Sequence, residues 1–139
     1  MTSVADRESE AHEVLACSGE RLSALLRRAQ TFPANLPVPE IRAPRDRRGI
    51  HAAVTAVRGN LSVGAAFRAP AWVVAHTSRR YAEFVTLVHE AIQRWHGLLA
   101  SAAAHVDGPA RDSLSALQRN ADRLDEAIAA VDAKLAETS

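Results

Sequence analysis

The chain has 139 residues, of which 47% are hydrophobic, and its 17 basic side chains nearly balance 16 acidic ones. This length allows one domain with a substantial buried core. Its single cysteine, Cys17, excludes an internal disulfide and suits a reducing compartment, and the lack of 18 consecutive apolar residues excludes a membrane-spanning helix. No basic start followed by an apolar run opens the sequence, so we expect no Sec signal and a cytoplasmic location, with export by another route left open.

The amino-acid composition favours helix. Alanine appears 29 times, and 16 of the 17 basic residues are arginine. Alanine loses no side-chain entropy in a helix and arginine loses little. We therefore predict an all-α fold, a four-helix bundle-like domain over residues 1–139.

Helix 1 is predicted over about residues 3–30, with Ser3 as its N-cap and acidic residues in its opening turns. A proline-rich connector over residues 32–45 follows. Its four prolines fix φ and remove amide donors, so we expect an extended segment that can run along a neighbouring helix; they are Pro33, Pro37, Pro39 and Pro44.

Three further helices are predicted after the connector. Asp46 is a candidate N-cap for helix 2, over about residues 46–67. Helix 3 covers about residues 70–106 and has the widest apolar stripe, so we expect it at the centre of the fold. The turn signal Asp107-Gly108-Pro109 opens helix 4, over about residues 109–137, and predicts that helices 3 and 4 form an antiparallel hairpin.

Helix 4 carries a heptad row whose apolar residues alternate steps of three and four. Such a row is typical of one side of a bundle or of a coiled-coil seam. Because this row and the stripe of helix 3 together exceed what one hairpin covers, we predict a partner-binding or self-association surface at Leu114, Leu117, Leu124, Ile128, Val131 and Leu135.

Charge is sorted along the chain into blocks of −4 for residues 1–20, +9 for residues 21–80 and −4 for residues 81–139. The central block can pair with the acidic helices, or it can meet an anionic partner such as nucleic acid or an acidic surface. Arginine suits the second role because its guanidinium binds phosphate and carboxylate through paired donors. The predicted anion-binding residues are Arg42, Arg45, Arg47, Arg48, Arg79 and Arg80.

A ligand pocket between helices is a further prediction, with Tyr81, His89 and Trp95 as its lining. His89 and His96 lie seven residues apart and share one side of helix 3, but zinc needs three or four ligands, and Gln93 replaces the second histidine of a His-Glu-x-x-His motif. We therefore expect no metal site, no cofactor and no catalytic residue. The remaining histidines are expected at surface or boundary positions; they are His12, His51, His76 and His105.

Trp95-His96-Gly97 resembles the Trp-x-Gly signature of the small helical-hairpin substrates of type VII secretion. The resemblance implies that these residues form the turn between two helices. It also implies a secreted helical-hairpin protein as one alternative function.

Taken together, the patterns predict a non-enzymatic helical interaction or adaptor module, which binds a protein partner or forms an oligomer through apolar helix faces. The alternatives are an anion-binding module that uses the central arginines, a helical-hairpin protein associated with type VII secretion, and a small helical ligand carrier or enzyme.

Overall fold

The structure is a computed structural model that describes residues 3–31, 40–59, 79–108 and 111–137. At positions 30, 31, 58, 59 and 79–82 it describes the backbone but not the side chains. Four α-helices account for most of these residues. They are α1 (Val4–Thr31), α2 (Arg47–Gly59), α3 (Arg79–Asp107) and α4 (Ser113–Glu137). No strand occurs in these ranges. The prediction of an all-α, bundle-like domain is confirmed.

Two predicted caps start their helices. The Ser3 hydroxyl accepts the Asp6 amide at 3.1 Å, and the Asp6 carboxylate accepts the Ser3 amide at 3.3 Å, so the pair forms a reciprocal capping box. At α2, the Asp46 carboxylate accepts the Gly49 amide at 2.7 Å, and the Asp46 carbonyl accepts the first helical bond, from Ile50. These contacts satisfy amides that would otherwise lack partners at a helix start.

Helix boundaries differ from the expectation at α4, which begins at Ser113 rather than at 109. Arg111 and Asp112 form a turn, and the Asp112 carbonyl accepts the amide of Ala116 at 2.9 Å, so the helical bonding starts there. Most of the predicted connector (32–39), the end of predicted helix 2 (60–67) and the start of predicted helix 3 (70–78) lie outside the described residues.

Helix α3 lies at the centre of the described helices. It packs against α1, α2 and α4, and α1 also packs against α4. The aliphatic and aromatic side chains of these faces form one core, to which α3 contributes the most. The buried hydrophobic residues of α3 are Phe84, Val85, Val88, Ala91, Ile92, Trp95, Leu98, Leu99, Ala102, Ala103 and Val106. Within the described ranges, no helix has the length and apolarity needed to cross a membrane.

Helices α3 and α4 run antiparallel. Glu83 near the start of α3 pairs with Lys134 near the end of α4 at 2.6 Å. Near the other end, the His105 ring forms a 2.8 Å hydrogen bond with the Ser113 hydroxyl, across the short turn. The start of α3 therefore lies beside the end of α4, and the end of α3 lies beside the start of α4.

Trp95 lies in the interior of α3, and only 3% of its surface is exposed. Its ring packs against Gly19 of α1, where the missing side chain leaves room for it. The turn implied by the resemblance to Trp-x-Gly proteins is therefore wrong for this chain, because the apolar stripe continues through residues 92–99 and keeps them helical.

The two glycines inside described helix interiors, Gly19 and Gly97, allow one substitution to be compared in two environments. Alanine adds about 1 kcal/mol of helix propensity at either position. A Cβ at Gly97 would meet only Asn120 Oδ1, at 3.9 Å, whereas a Cβ at Gly19 would lie 3.0 Å from Trp95 Cη2. We expect Gly97→Ala to raise the free energy of unfolding by about 0.5–1 kcal/mol, and Gly19→Ala to lose that gain because the buried ring cannot move away.

Urea unfolding of both variants and the wild-type chain measures this difference. Equal stabilisation by the two substitutions would show that Trp95 does not pack tightly on α1.

Candidate functional site

The heptad row of α4 faces mainly inward. Five of its six predicted partner-binding residues are only 0–8% exposed and lie in the chain's own core: Leu117, Leu124, Ile128, Val131 and Leu135. The sixth, Leu114, is 36% exposed. Leu114 is therefore the member of the row that the described structure leaves accessible to another molecule.

Leu114 lines a groove between α1 and α4, with a volume of about 380 Å³. Each wall of the groove is a row of four residues that are separated by four, three and four positions in the sequence. Glu13 and Ser18 lie beside the row on α1. The α1 row is Glu10, Val14, Cys17 and Arg21, and the α4 row is Leu114, Gln118, Ala121 and Asp125. Sequence reasoning missed this site, although the matching steps on the two helices are visible in the sequence.

The groove combines an apolar strip with an acidic rim. Val14, Leu114 and Ala121 supply apolar surface from both walls. Glu10, Glu13 and Asp125 outnumber the single Arg21, so the lining carries an excess of two negative charges. This arrangement favours a ligand with both apolar and cationic groups.

Arg21 bridges the two walls. Its guanidinium lies 2.9 Å from Asp125 Oδ1 on α4 and donates to Cys17 Sγ on its own helix at 3.2 Å. The hydrogen bond to Cys17 and the charge of Asp125 raise the pKa of Arg21. Arg21 therefore stays cationic and ties α1 to α4 at this end of the groove.

Behind the rim, Glu10 approaches a buried histidine. His105 is 5% exposed, and its Nε2 lies 3.6 Å from Glu10 Oε2, a contact too long for a hydrogen bond. The expectation that His105 occupies a surface or boundary position is wrong, because its ring is buried between Glu10 of α1 and Ser113 at the start of α4, and the Ser113 hydroxyl is hydrogen-bonded to its Nδ1. His76 lies outside the described residues.

The predicted anion-binding arginines fall into three groups. Arg42 pairs with Glu40 in its own segment at 2.8 Å, and Arg47 Nε lies 2.8 Å from Asp107 Oδ1 on α3. Arg45 and Arg48 are exposed and form no ion pair within the described ranges. The side chains of Arg79 and Arg80 lie outside the described residues.

The predicted ligand pocket is only partly described. Trp95 is in the core against α1, His89 is half-buried on α3, and the Tyr81 side chain lies outside the described residues. Burial, followed by the charge of His89, lowers the pKa of His96. The described residues contain no cluster of three or more side chains that could hold a metal ion.

Helix α2 is joined to α3 by a shared carboxylate. Asp107 Oδ1 accepts a 2.6 Å hydrogen bond from His51 Nε2 and a 2.8 Å bond from Arg47 Nε. These two bonds, that from His51 first, lower the pKa of Asp107. The contact is exposed to solvent, so its contribution to stability is modest.

No protein-family model, curated protein or solved structure matches this chain. Its function is therefore inferred from the groove and from the charges around it.

Replacing Asp107 by asparagine tests the α2–α3 contact. Because the pKa of Asp107 is lowered in the folded protein, its stabilising effect is complete above the ordinary carboxyl pKa, about 4, and is lost as the pH falls through the lowered pKa. We expect Asp107→Asn to lower the free energy of unfolding at neutral pH by at most about 1 kcal/mol.

The difference from wild type should shrink between neutral and acid pH, because protonation makes Asp107 neutral like asparagine as the pH falls through its lowered pKa. Urea unfolding at the two pH values measures it, with the exposed Glu126→Gln as a matched loss of charge. A difference that persists unchanged in acid would contradict a role for the carboxylate charge.

Proposed function

We propose that this chain is a non-catalytic, cytoplasmic helical interaction module, which binds a protein segment in the groove between α1 and α4. The observation that carries the proposal is the exposure of Leu114 in that groove, beside Val14 and Ala121. The rest of the heptad row is used for the chain's own core, so an interaction surface on α4 would be centred on Leu114.

The dimensions of the groove suit a peptide segment. Each wall row spans eleven residue steps, which corresponds to about 16 Å along a helix axis. That length accommodates about three turns of a docked helix, and docked helices recognise grooves through apolar residues at helical spacing. An apolar strip with a charged rim is also the usual arrangement of a protein–protein interface.

The chemistry of the lining favours binding over catalysis. Cys17 and Ser18 are the candidate nucleophiles in the groove, but the described lining contains no imidazole that could act as a base for either. Its exposed free thiol also suits a reducing compartment, which supports the cytoplasmic location.

A photo-crosslinking amino acid in place of Gln118 tests the proposal, because Gln118 is an exposed lining residue. Irradiation of the purified chain, and of the chain in the cells that produce it, should give a crosslinked product. Leu114→Asp should abolish that product by placing a charge on the apolar strip.

Val4→Asp provides the matched control, since Val4 is the other large exposed hydrophobic residue described and lies outside the groove lining. A crosslink that survives Leu114→Asp, or that Val4→Asp also removes, would count against a docking site at Leu114.

Binding of an anionic partner is a second candidate function, and the exposed Arg45 and Arg48 favour it. If phosphates are the partner, binding to a DNA duplex should weaken at least about tenfold between 50 and 200 mM salt. Fluorescence anisotropy across that range measures the change, and Arg45→Gln with Arg48→Gln should reduce the slope. Undetectable binding at low salt would eliminate nucleic acid as the partner.

A further inference from the structure

The described surface carries two features of opposite net charge, an acidic groove lining and a pair of exposed arginines. The groove lining has two more acidic than basic side chains, and Glu13 is exposed at its rim. Arg45 and Arg48 are exposed and pair with no acid that the structure describes. Each feature is thus chemically suited to the other.

Both features lie beside the same stretch of α1. The segment that carries the arginines is fixed to α1 by two contacts: His12 Nδ1 donates to the Pro44 carbonyl at 3.0 Å, and the Arg47 amide donates to Glu8 Oε2 at 3.3 Å. The groove uses Glu10, Glu13 and Val14 from the same two turns of the helix. The arginines and the acids therefore flank one short length of α1.

Such an arrangement is suited to self-recognition. In a twofold dimer one surface patch meets its own copy, so a patch must contain both members of each complementary pair. The acidic, partly apolar groove and the segment that carries Arg45 and Arg48 lie on the two sides of the first half of α1, so a surface that spans this helix contains both members.

We propose that the occupant of the groove is a second copy of this chain, bound around a twofold axis. Arg45 and Arg48 of each copy pair with the acidic rim at Glu10 and Glu13 of the other, and the contact covers Leu114 and Cys17. This inference rests on the proposed function, because it names the partner of the same groove.

The electrostatic part of the contact gives it a defined salt dependence. Arg45, Arg48 and Glu13 are exposed and Glu10 is partly exposed, so ions in solution screen the attraction between them. Association should therefore weaken as ionic strength rises, while the apolar contact of Leu114 remains.

Sedimentation velocity and light scattering on the full chain test the proposal. At low ionic strength the wild-type mass should rise from monomer towards dimer as the concentration increases to about 1 mM. The reaction of Cys17 with a thiol-specific disulfide reagent should slow over the same concentrations, because the second copy covers the groove. A chain that stays monomeric throughout overturns the proposal.

Charge reversal on each side provides the decisive comparison. Glu10→Arg with Glu13→Arg makes the groove basic, and Arg45→Glu with Arg48→Glu makes the segment acidic. Each double variant alone should lose at least about tenfold in dimer affinity, since like charges then face each other. An equimolar mixture of the two should regain the dimer mass, because both contacts are again between opposite charges.

Glu90→Arg with Glu126→Arg reverses the same number of charges away from the groove and should dimerise like wild type. Circular dichroism melting of every variant confirms that it folds, and the wild-type mass and thiol measurements stand whether or not a variant does. A mixture that remains monomeric although both variants are folded overturns the proposed pairing.

The outcome also separates this inference from the proposed function. If the wild-type chain is monomeric but the Gln118 crosslink to a different protein still requires Leu114, the groove binds another partner and the interaction module stands. If no Leu114-dependent crosslink forms either, both proposals fail.

Discussion

The inward burial of the α4 apolar row is the constraint on which the other features depend. Leu117, Leu124 and Val131 are fully buried, and this fixes the rotation of α4 about its axis. The next row on the helix, from Leu114 to Asp125, must then lie at the edge of the α1–α4 contact. The groove is therefore a direct consequence of how the core is packed.

The ion pairs between α1 and α4 depend on the same rotation of α4 about its axis. Arg21 and Arg28 of α1 reach Asp125 and Asp132 of α4, two aspartates seven residues apart beside the buried row. Exposed pairs of this kind add little to stability, but they favour one register between two helices over its alternatives. The acidic character of the groove remains because Arg21 offsets only part of the surrounding negative charge.

Local sequence signals predicted the fold well because they act within a few residues. The spacing of Ser3 and Asp6, the position of Asp46, and the helical period of the apolar residues all determine structure locally. The row on α4 was recognised for the same reason. Its spacing showed which side chains share a face, but whether that face meets the chain's own helices or another molecule depends on tertiary packing.

The site was less predictable because it joins two helices about a hundred residues apart in sequence. Nothing in the spacing of α1 indicates that Cys17 and Ala121 line one groove, and nothing near His105 indicates that it is buried between α1 and the start of α4. The central arginines illustrate the same limit. Arg47 finds Asp107 on α3, sixty residues away, whereas Arg48, the next residue, has no acid beside it within the described ranges.

The pair between Glu83 and Lys134 has a consequence for chemical reactivity. Lys134 is the only lysine in the sequence, and its ammonium also lies 3.4 Å from Glu137. Acylation at this nitrogen would remove the charge that both carboxylates share. Amine-directed labelling thus has a single side-chain target, and that target forms the ion pair that joins the beginning of α3 to the end of α4.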